Sequence, residues 1–231
     1  MIEKIFIRHV FVYPFTDRQL FLKAIESEHK ILIAVNAEKL LNDAPKLQQI
    51  INDNIGYADG VGTVMALKRK GLNAVKIPGS EFWLDIVRHF YHDKKFYLLG
   101  STQDVIEQTV NKLKVDFPSI NIVGFSNGFV DEKAKEQLKN FLTEQKPDIV
   151  FVAQGTPRQE YLMDELIKTH PALYMGLGGS FDIYCGLKKR APKIFLNLNL
   201  EWFYRLLKEP TRFGRQLILI KFFALLLLNK L

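Results

Sequence analysis

The chain has 231 residues, of which 48% are apolar, and a formal net charge of +7. This length and apolar content are enough for one large domain with a buried core, and they exclude an intrinsically disordered chain. The single cysteine, Cys185, excludes a disulfide framework and a cysteine-rich zinc site. Charged residues interrupt the apolar residues of the N-terminal segment MIEKIFIRHVF, so we expect no signal peptide and a cytoplasmic protein.

The positive charge is concentrated near the C-terminus. Residues 183–231 hold ten of the 32 Lys and Arg residues but only Glu201 and Glu209 of the 25 acids, so the rest of the chain is close to neutral. Such an excess is typical of a segment that meets an anionic partner, which would be a membrane surface, a phosphate group or nucleic acid.

Residues 1–182 alternate short apolar runs with helical patterns, and residues 2–13 are expected to add one or two strands at the start. The runs predicted as buried strands are 31–35, 96–99, 120–123, 148–153 and 173–175. The predicted helices are 38–54 with a break near Pro45, 63–70, one capped by Ser80, one capped by Ser101, 131–145 and 157–169. This alternation indicates βαβ units and an α/β fold with a mostly parallel sheet flanked by helices.

The C-terminal part differs in composition. Residues 197–208 form an aromatic-rich helix pattern that Pro210 must end or kink, and a second helix is predicted over roughly 211–230. Its leucine-rich run of twelve residues, LILIKFFALLLL, would cover ~18 Å, less than the ~30 Å of a bilayer core. It suits a segment that lies in the membrane interface, or one packed against a partner subunit in a homo-oligomer. The predicted domains are residues 1–190, an α/β domain, and residues 191–231, a basic helical appendage.

The first candidate for chemistry is Asp59, in the segment Ala58-Asp59-Gly60-Val61-Gly62. Its carboxylate is next to two glycines where a loop enters a helix, and glycine lets the backbone approach a ligand closely. A carboxylate in such a place can serve as a general base. The alternative from spacing alone is an ordinary N-cap or turn residue.

Two further segments follow predicted strands, where open α/β sheets bind ligands. Arg158 and Gln159 in GTPRQE suit a nucleotide or a sugar, with a solvated turn as the alternative. Gly178 and Gly179 can present backbone N–H groups to a diphosphate. Phe181 stands where a dinucleotide fingerprint needs a small residue, so this is not the Gly-x-Gly-x-x-Gly motif.

Gly100-Ser101 is a weaker candidate for a phosphate site, since the pair is also typical of a strand-to-helix turn. The sequence contains no Asp-x-Asp pair to hold a metal-bound nucleoside diphosphate, and its five histidines lack zinc-like spacing. We therefore expect no metal site.

Basic residues alternate with aromatic residues in the appendage. The segments are Arg190-Ala191-Pro192, Glu201-Trp202-Phe203-Tyr204-Arg205 and 209–215. Such a pattern can bind RNA, but the leucine-rich run behind it favours a lipid surface. A solvated basic helix face is the remaining alternative.

Taken together, these motifs resemble the WecG/TagA/CpsF family of bacterial glycosyltransferases. They occur in the family's order over roughly residues 30–215. The matching segments are Asn36-Ala37-Glu38, Ala58-Asp59-Gly60-x-Gly62, Pro78-Gly79, Tyr97-Leu98-Leu99-Gly100, Gly155-x-Pro157-Arg158-Gln159-Glu160, Gly178-Gly179-x-Phe181-Asp182, Arg190-Ala191-Pro192, Glu201-Trp202 and Arg205 with Glu209-Pro210-x-Arg212.

The resemblance implies an enzyme that transfers a sugar from a UDP-sugar, often UDP-N-acetylmannosamine or its uronic acid, to a polyprenyl-diphosphate-linked saccharide. The product would serve wall teichoic acid, enterobacterial common antigen, capsule or another surface polysaccharide. The resemblance also implies a Rossmann-like fold, inversion at the anomeric carbon, and no metal or cofactor. The enzyme would lie on the inner face of the plasma membrane, with an anionic membrane surface and not nucleic acid as its partner. Its appendage would complete the active site there.

The resemblance assigns residues as well. Asp59 corresponds to the catalytic base, and Asn36 and Gln159 to residues near the sugar. The appendage arginines correspond to Arg205, Arg212 and Arg215. The other predicted substrate-binding residues are Arg158, Gly178, Gly179 and Arg190. The family often has threonine where this chain has Ala34, so the resemblance does not fix the donor sugar.

The fold prediction alone also permits two other classes of protein. One is a nicotinamide-dependent oxidoreductase, against which Phe181 argues because it breaks the dinucleotide fingerprint. The other is a non-enzymatic scaffold at the membrane, which would have no reason to place Asp59 and Gln159 beside glycine turns.

Overall fold

The structure is a computed structural model. It describes residues 2–189, 191–192, 194–195, 203–204, 213–228 and 230–231, with the backbone alone for 213–216. In chain order the elements are β1 Ile5–Ile7, β2 Val10–Val12, α1 Arg18–Ile25, β3 Ile31–Val35, α2 Ala37–Leu40, α3 Pro45–Asp53, β4 Ile55–Ala58, α4 Val61–Arg69, α5 Gly79–Phe90, β5 Lys95–Gly100, α6 Gln103–Asp116, β6 Asn121–Ser126, α7 Glu132–Gln145, β7 Ile149–Ala153, α8 Arg158–Thr169, β8 Leu173–Gly176, α9 Ser180–Tyr184 and α10 Phe213–Leu227.

Strands β3 to β8 form one sheet in the order β4-β3-β8-β7-β5-β6, and every neighbouring pair is parallel. The predicted α/β fold is therefore confirmed, with a fully parallel six-stranded sheet. β1 and β2 form a separate antiparallel hairpin, as expected for residues 2–13. Because the strands are parallel, all six carboxyl ends lie at one edge of the sheet. We call this the carboxyl edge.

Helices cover both faces of the sheet. Alternate residues of β3 point to opposite faces of the sheet. Ile31, Ile33 and Val35 belong to the core layer formed with the hairpin and with α2, α3, α4, α7, α8 and α10. Leu32 belongs to the other layer, formed with α1, α5, α6 and α9. The buried aromatic residues lie mainly in the second layer, where the Phe21 and Phe82 rings stack with centroids 4.5 Å apart. Burial on both faces explains why the central strands read as continuous apolar runs.

Three local predictions differ from the structure. β4 was not predicted as a strand, because its four residues include Gly56 and follow a helix directly. Ser80 does not cap α5; the helix begins at Gly79 after Pro78, and the Asp59 carboxylate accepts the Gly79 N–H in place of a serine cap. Ser101 does not cap α6 either, since its φ of 58° places it in the left-handed turn before the N-cap Thr102.

The C-terminal helix α10 packs against α2 and α4. Phe222 and Leu226 are buried in the same core cluster as these helices. Phe222 lies beside Gly62 in the first turn of α4, and Arg69 in its last turn donates a hydrogen bond to the Leu227 carbonyl. The two helices therefore run in the same direction, and the nine residues of α10 before Phe222, ~13 Å of helix, extend towards the carboxyl edge. No helix in the described ranges is long and apolar enough to cross a membrane.

Candidate active site

Four of the predicted site segments follow four adjacent strands. Asn36 follows β3, Asp59 follows β4, Gln159 begins the helix after β7, and Gly178-Gly179 follows β8. These strands are neighbours in the order β4-β3-β8-β7, so the segments meet at one half of the carboxyl edge. In open parallel sheets, this edge is where ligands bind.

Asp59 lies at the N-terminus of helix α5. Its Oδ1 accepts a hydrogen bond from the Gly79 N–H at 2.8 Å, and its own N–H donates to the Val35 carbonyl at 3.1 Å. The positive end of the α5 dipole interacts favourably with a negative charge at this position. Asp59 is half-buried. The result is a fixed carboxylate that still reaches the surface, as a general base requires.

Tyr57, two residues before Asp59, is fully buried, and no described group hydrogen-bonds to its hydroxyl. Burial first, and then the negative charge of Asp59, raise the pKa of Tyr57 well above its ordinary value, so the phenol stays neutral. A Cβ on Gly79 would come within 2.9 Å of the Tyr57 hydroxyl oxygen, so the approach of α5 to β4 requires glycine there.

Asn36 is the N-cap of α2, and its Oδ1 accepts a hydrogen bond from the Lys39 N–H at 3.0 Å. A Cβ on Gly60 would lie 3.5 Å from the Asn36 Cβ, so the loops after β3 and β4 are in contact. The cap uses the side-chain oxygen of Asn36, and the amide nitrogen is the part that remains to meet a ligand.

Gln159 joins the loops that follow β7 and β8. Its Oε1 accepts hydrogen bonds from the Gly155 N–H at 3.1 Å and from the Gly178 N–H at 2.9 Å. Its Nε2 donates to Glu160 Oε1 at 3.2 Å. Gln159 is 4% exposed, so it supports the turn at Gly178-Gly179 from the protein interior. Gly178 has a φ of 57°, which any other L-residue would adopt only with strain.

The remaining predicted binding residues are less closely grouped. Gly179 and Arg158 are exposed, each at the start of the helix that follows its strand. Arg190, Arg205 and Arg212 lie outside the described residues. Arg215 lies in α10, where the backbone alone is described, so its side chain is not placed.

A second group lies at the other half of the carboxyl edge and includes Ser101 of the weaker candidate Gly100-Ser101. Sequence reasoning missed the contacts that Ser101 makes there. Ser101 Oγ donates to Asp182 Oδ2 at 3.4 Å, and the Ser101 carbonyl accepts the Gly128 N–H at 2.8 Å. Next to Gly128, Phe129 is 76% exposed. An exposed ring near a carboxylate suits a nucleoside, whose base can stack and whose ribose can donate hydrogen bonds. The Asn-Gly-Phe segment at 127–129 was the available signal, because aromatic residues are usually buried.

A third feature could not be predicted from the spacing of residues in the sequence: Lys39 and Glu160 form a buried ion pair behind Asn36 and Gln159.

Within the described ranges, no three His, Cys, Asp or Glu side chains lie close enough to hold a metal ion.

The chain also matches a known protein family. The model of the glycosyl transferase WecG/TagA/CpsF family matches residues 14–231, which is nearly the whole chain. The chain therefore belongs to this family of glycosyltransferases, and the resemblance seen in the sequence motifs is confirmed. Membership supports a transferase of cell-wall polysaccharide synthesis that uses a nucleotide-sugar donor and a saccharide acceptor.

Proposed function

We propose that the protein is an inverting glycosyltransferase that moves N-acetylmannosamine, or its uronic acid, from UDP to a polyprenyl-diphosphate-linked saccharide. The observation that carries the reaction type is the Asp59 carboxylate, fixed by the Gly79 N–H at 2.8 Å beside the Asn36 loop, with the Gly178 loop one strand further along the same edge. The donor and the acceptor are those that the family resemblance implies. The product would enter a cell-wall or surface polysaccharide such as teichoic acid or capsule.

In the proposed reaction, Asp59 takes the proton from a hydroxyl group of the acceptor. The oxygen of that hydroxyl bonds to the anomeric carbon of the donor sugar. The bond between that carbon and the UDP oxygen breaks on the opposite face, so the configuration inverts. Asn36 contacts the sugar through its amide nitrogen. Gln159 acts through the backbone, since its side-chain oxygen holds the N–H groups of Gly155 and Gly178.

The departing diphosphate gains negative charge, and the proposal assigns its stabilisation to backbone N–H groups and arginines without a metal. Gly179 and Arg158 lie exposed at the carboxyl edge. The first turns of α10, which include Arg215, extend towards the same edge. Arg190, Arg205 and Arg212 would complete this cationic surface, because guanidinium groups bind phosphate oxygens in a bidentate manner. The nucleoside would lie at the second half of the edge, near Phe129 and Asp182.

We also propose that α10 attaches the enzyme to the anionic inner face of the plasma membrane. Its outward positions carry apolar side chains: Leu217 is 56% exposed, Ile220 66% and Leu227 73%. Lys221 on α10 and Lys68 on α4 are also exposed. Each such lysine near an anionic surface contributes ~1 kcal/mol, and each apolar side chain that inserts fully adds ~1.5–3 kcal/mol. Both terms together support reversible attachment.

A donor screen tests the proposed function. The purified full chain is incubated with a panel of UDP-sugars and a polyprenyl-diphosphate-GlcNAc analogue, and UDP release and glycosylated lipid are measured. We expect turnover with UDP-N-acetylmannosamine or its uronic acid and an inverted anomeric centre by NMR. Turnover with a different UDP-sugar alone would refute the donor assignment. The absence of transfer from every donor would refute the proposed reaction.

A further inference from the structure

A buried ion pair lies directly behind the candidate active site. Lys39 Nζ of α2 is 3.0 Å from Glu160 Oε1 of α8, and the side chains are 7% and 1% exposed. Burying two charges costs several kcal/mol per ion before their attraction is counted, so such a pair is weak evidence for stability. Its contacts indicate a different role.

We propose that the Lys39–Glu160 pair is a positioning element of the active site, which sets the orientation of the Gln159 amide and thereby the position of the Gly178 turn. This inference rests on the proposed function, in which that turn faces the donor diphosphate. Lys39 and Glu160 are positioning residues and contact no substrate in this scheme.

The orientation of Gln159 follows from the charge on Glu160. Glu160 Oε1 accepts hydrogen bonds from Thr156 Oγ1 at 3.0 Å and from Gln159 Nε2 at 3.2 Å, besides its contact with Lys39. A carboxylate only accepts hydrogen bonds, so Gln159 must turn its NH₂ group towards it. The Gln159 oxygen then faces the Gly155 and Gly178 N–H groups. The flipped amide would place an oxygen against the carboxylate and an NH₂ group against two donors.

Lys39 extends the network to the other half of the site. Its Nζ donates to the Ala34 carbonyl in β3 at 2.9 Å, and its backbone N–H donates to Asn36 Oδ1 at 3.0 Å. The pair therefore connects the carboxyl end of β3, where Asn36 lies, to the loops of β7 and β8. A shift of either partner is transmitted to groups on both sides of the proposed sugar site.

The experiment distinguishes a role of the ion pair in positioning the Gly178 turn from a role in the stability of the fold. In Lys39→Met/Glu160→Gln both charges are removed at nearly constant volume, so neither partner is left as an uncompensated buried charge. Residue 160 then no longer dictates the Gln159 amide. We expect amide hydrogen exchange by NMR to quicken at Gly155 and Gly178. We expect kcat to fall up to ~100-fold, since a misplacement of ~1 Å can cost that much, while KM for the acceptor stays unchanged.

A matched control lies on the same helix. Lys135 and Glu165 form a partly exposed ion pair of 2.9 Å between α7 and α8, and neither side chain is hydrogen-bonded to Gln159. Lys135→Met/Glu165→Gln should leave both the two amide exchange rates and kcat unchanged. Gln159→Met, which keeps the buried ion pair, should quicken exchange at Gly155 and Gly178 by itself. This variant tests the second step of the proposal, from the Gln159 oxygen to the glycine turn, even where the double charge variant does not fold.

A double-mutant cycle completes the experiment. If the pair acts through Gln159, adding Lys39→Met/Glu160→Gln to Gln159→Met should lower kcat less than twofold further. Fully additive losses, or unchanged exchange at Gly178 in the variants, would overturn the proposal. The exchange measurement needs no substrate. A wild-type chain that transfers no sugar would therefore refute the proposed function while the exchange rates still test the positioning network.

Discussion

Phe222 of α10 lies against Gly62 of α4, so closely that a Cβ on Gly62 would come within 2.9 Å of the Phe222 Cε1. Gly62 is three residues beyond Asp59 in the chain. The buried ring of Phe222 thus anchors the C-terminal helix next to the proposed catalytic base. In the proposed mechanism the appendage would therefore be part of the active site as well as a membrane contact.

Phe222→Ala should detach α10 and lower transfer to a soluble short-chain acceptor. Removing a buried phenylalanine costs about 3–5 kcal/mol, and Phe222 and Leu226 are the two buried side chains of α10 among the described residues. The main thermal transition of the α/β domain should persist. Leu217→Ala, at a position 56% exposed on the same helix, is the control and should transfer sugar to the soluble acceptor at the wild-type rate. Full turnover in Phe222→Ala would show that the docked helix is not needed for catalysis.

Tyr57→Phe should raise or preserve the free energy of unfolding and leave turnover unchanged. The Tyr57 hydroxyl is fully buried with no hydrogen-bond partner among the described groups, so removing it relieves a desolvation cost of ~1–3 kcal/mol. Urea unfolding and transfer assays measure the two quantities. A drop in kcat above about tenfold would instead assign the phenol a role in the reaction beside Asp59.

Much of the fold could be predicted from the sequence because burial on both faces makes parallel strands into apolar runs. The runs at 31–35 and 148–153 became β3 and β7 almost residue for residue. The order of the strands could not be predicted, since it depends on which helices pack together over long separations. β4 was missed because four residues that include Gly56 give too little pattern.

The candidate site, like the fold, could be predicted only in part. Gln159 could be singled out because it follows an apolar strand, and Asp59 because it precedes two glycines, whereas Asn36 was assigned through the family resemblance. The separate roles of these side chains could not be predicted, because they depend on which hydrogen bonds each side chain makes. Gln159 is predicted from the sequence to contact the substrate. In the structure it is 4% exposed and its side-chain oxygen accepts two backbone N–H groups, from which we propose that it supports the glycine turn. The ion pair of Lys39 and Glu160 joins residues 121 positions apart, beyond any local pattern.

Transfer activity should survive EDTA. The prediction rests on the absence of an Asp-x-Asp pair in the sequence and on the assignment of diphosphate charge to arginines and backbone N–H groups. Initial rates are measured before and after chelation and again after adding Mg²⁺ or Mn²⁺. Loss of activity on chelation that either metal restores would refute the metal-independent mechanism.

Ile220→Asp should weaken flotation with vesicles that contain phosphatidylglycerol by about tenfold or more, since an inserted apolar side chain contributes ~1.5–3 kcal/mol. Val115→Asp places the same charge at a position 78% exposed on α6 and should not change flotation. If Ile220→Asp instead dissociates a homo-oligomer and flotation is unaffected, the outer face of α10 binds a second copy and not the membrane.

The turnover of Asp59→Asn tests the central claim most directly. The change is nearly isosteric, and the asparagine oxygen can still accept the Gly79 N–H that Asp59 accepts at 2.8 Å, so the melting temperature should stay close to wild type. The amide cannot take the acceptor proton, and we predict that kcat falls by ~10²–10⁴ with the UDP-sugar found in the donor screen. A folded Asp59→Asn enzyme that keeps more than about half of the wild-type turnover would contradict the assignment of Asp59 as the base.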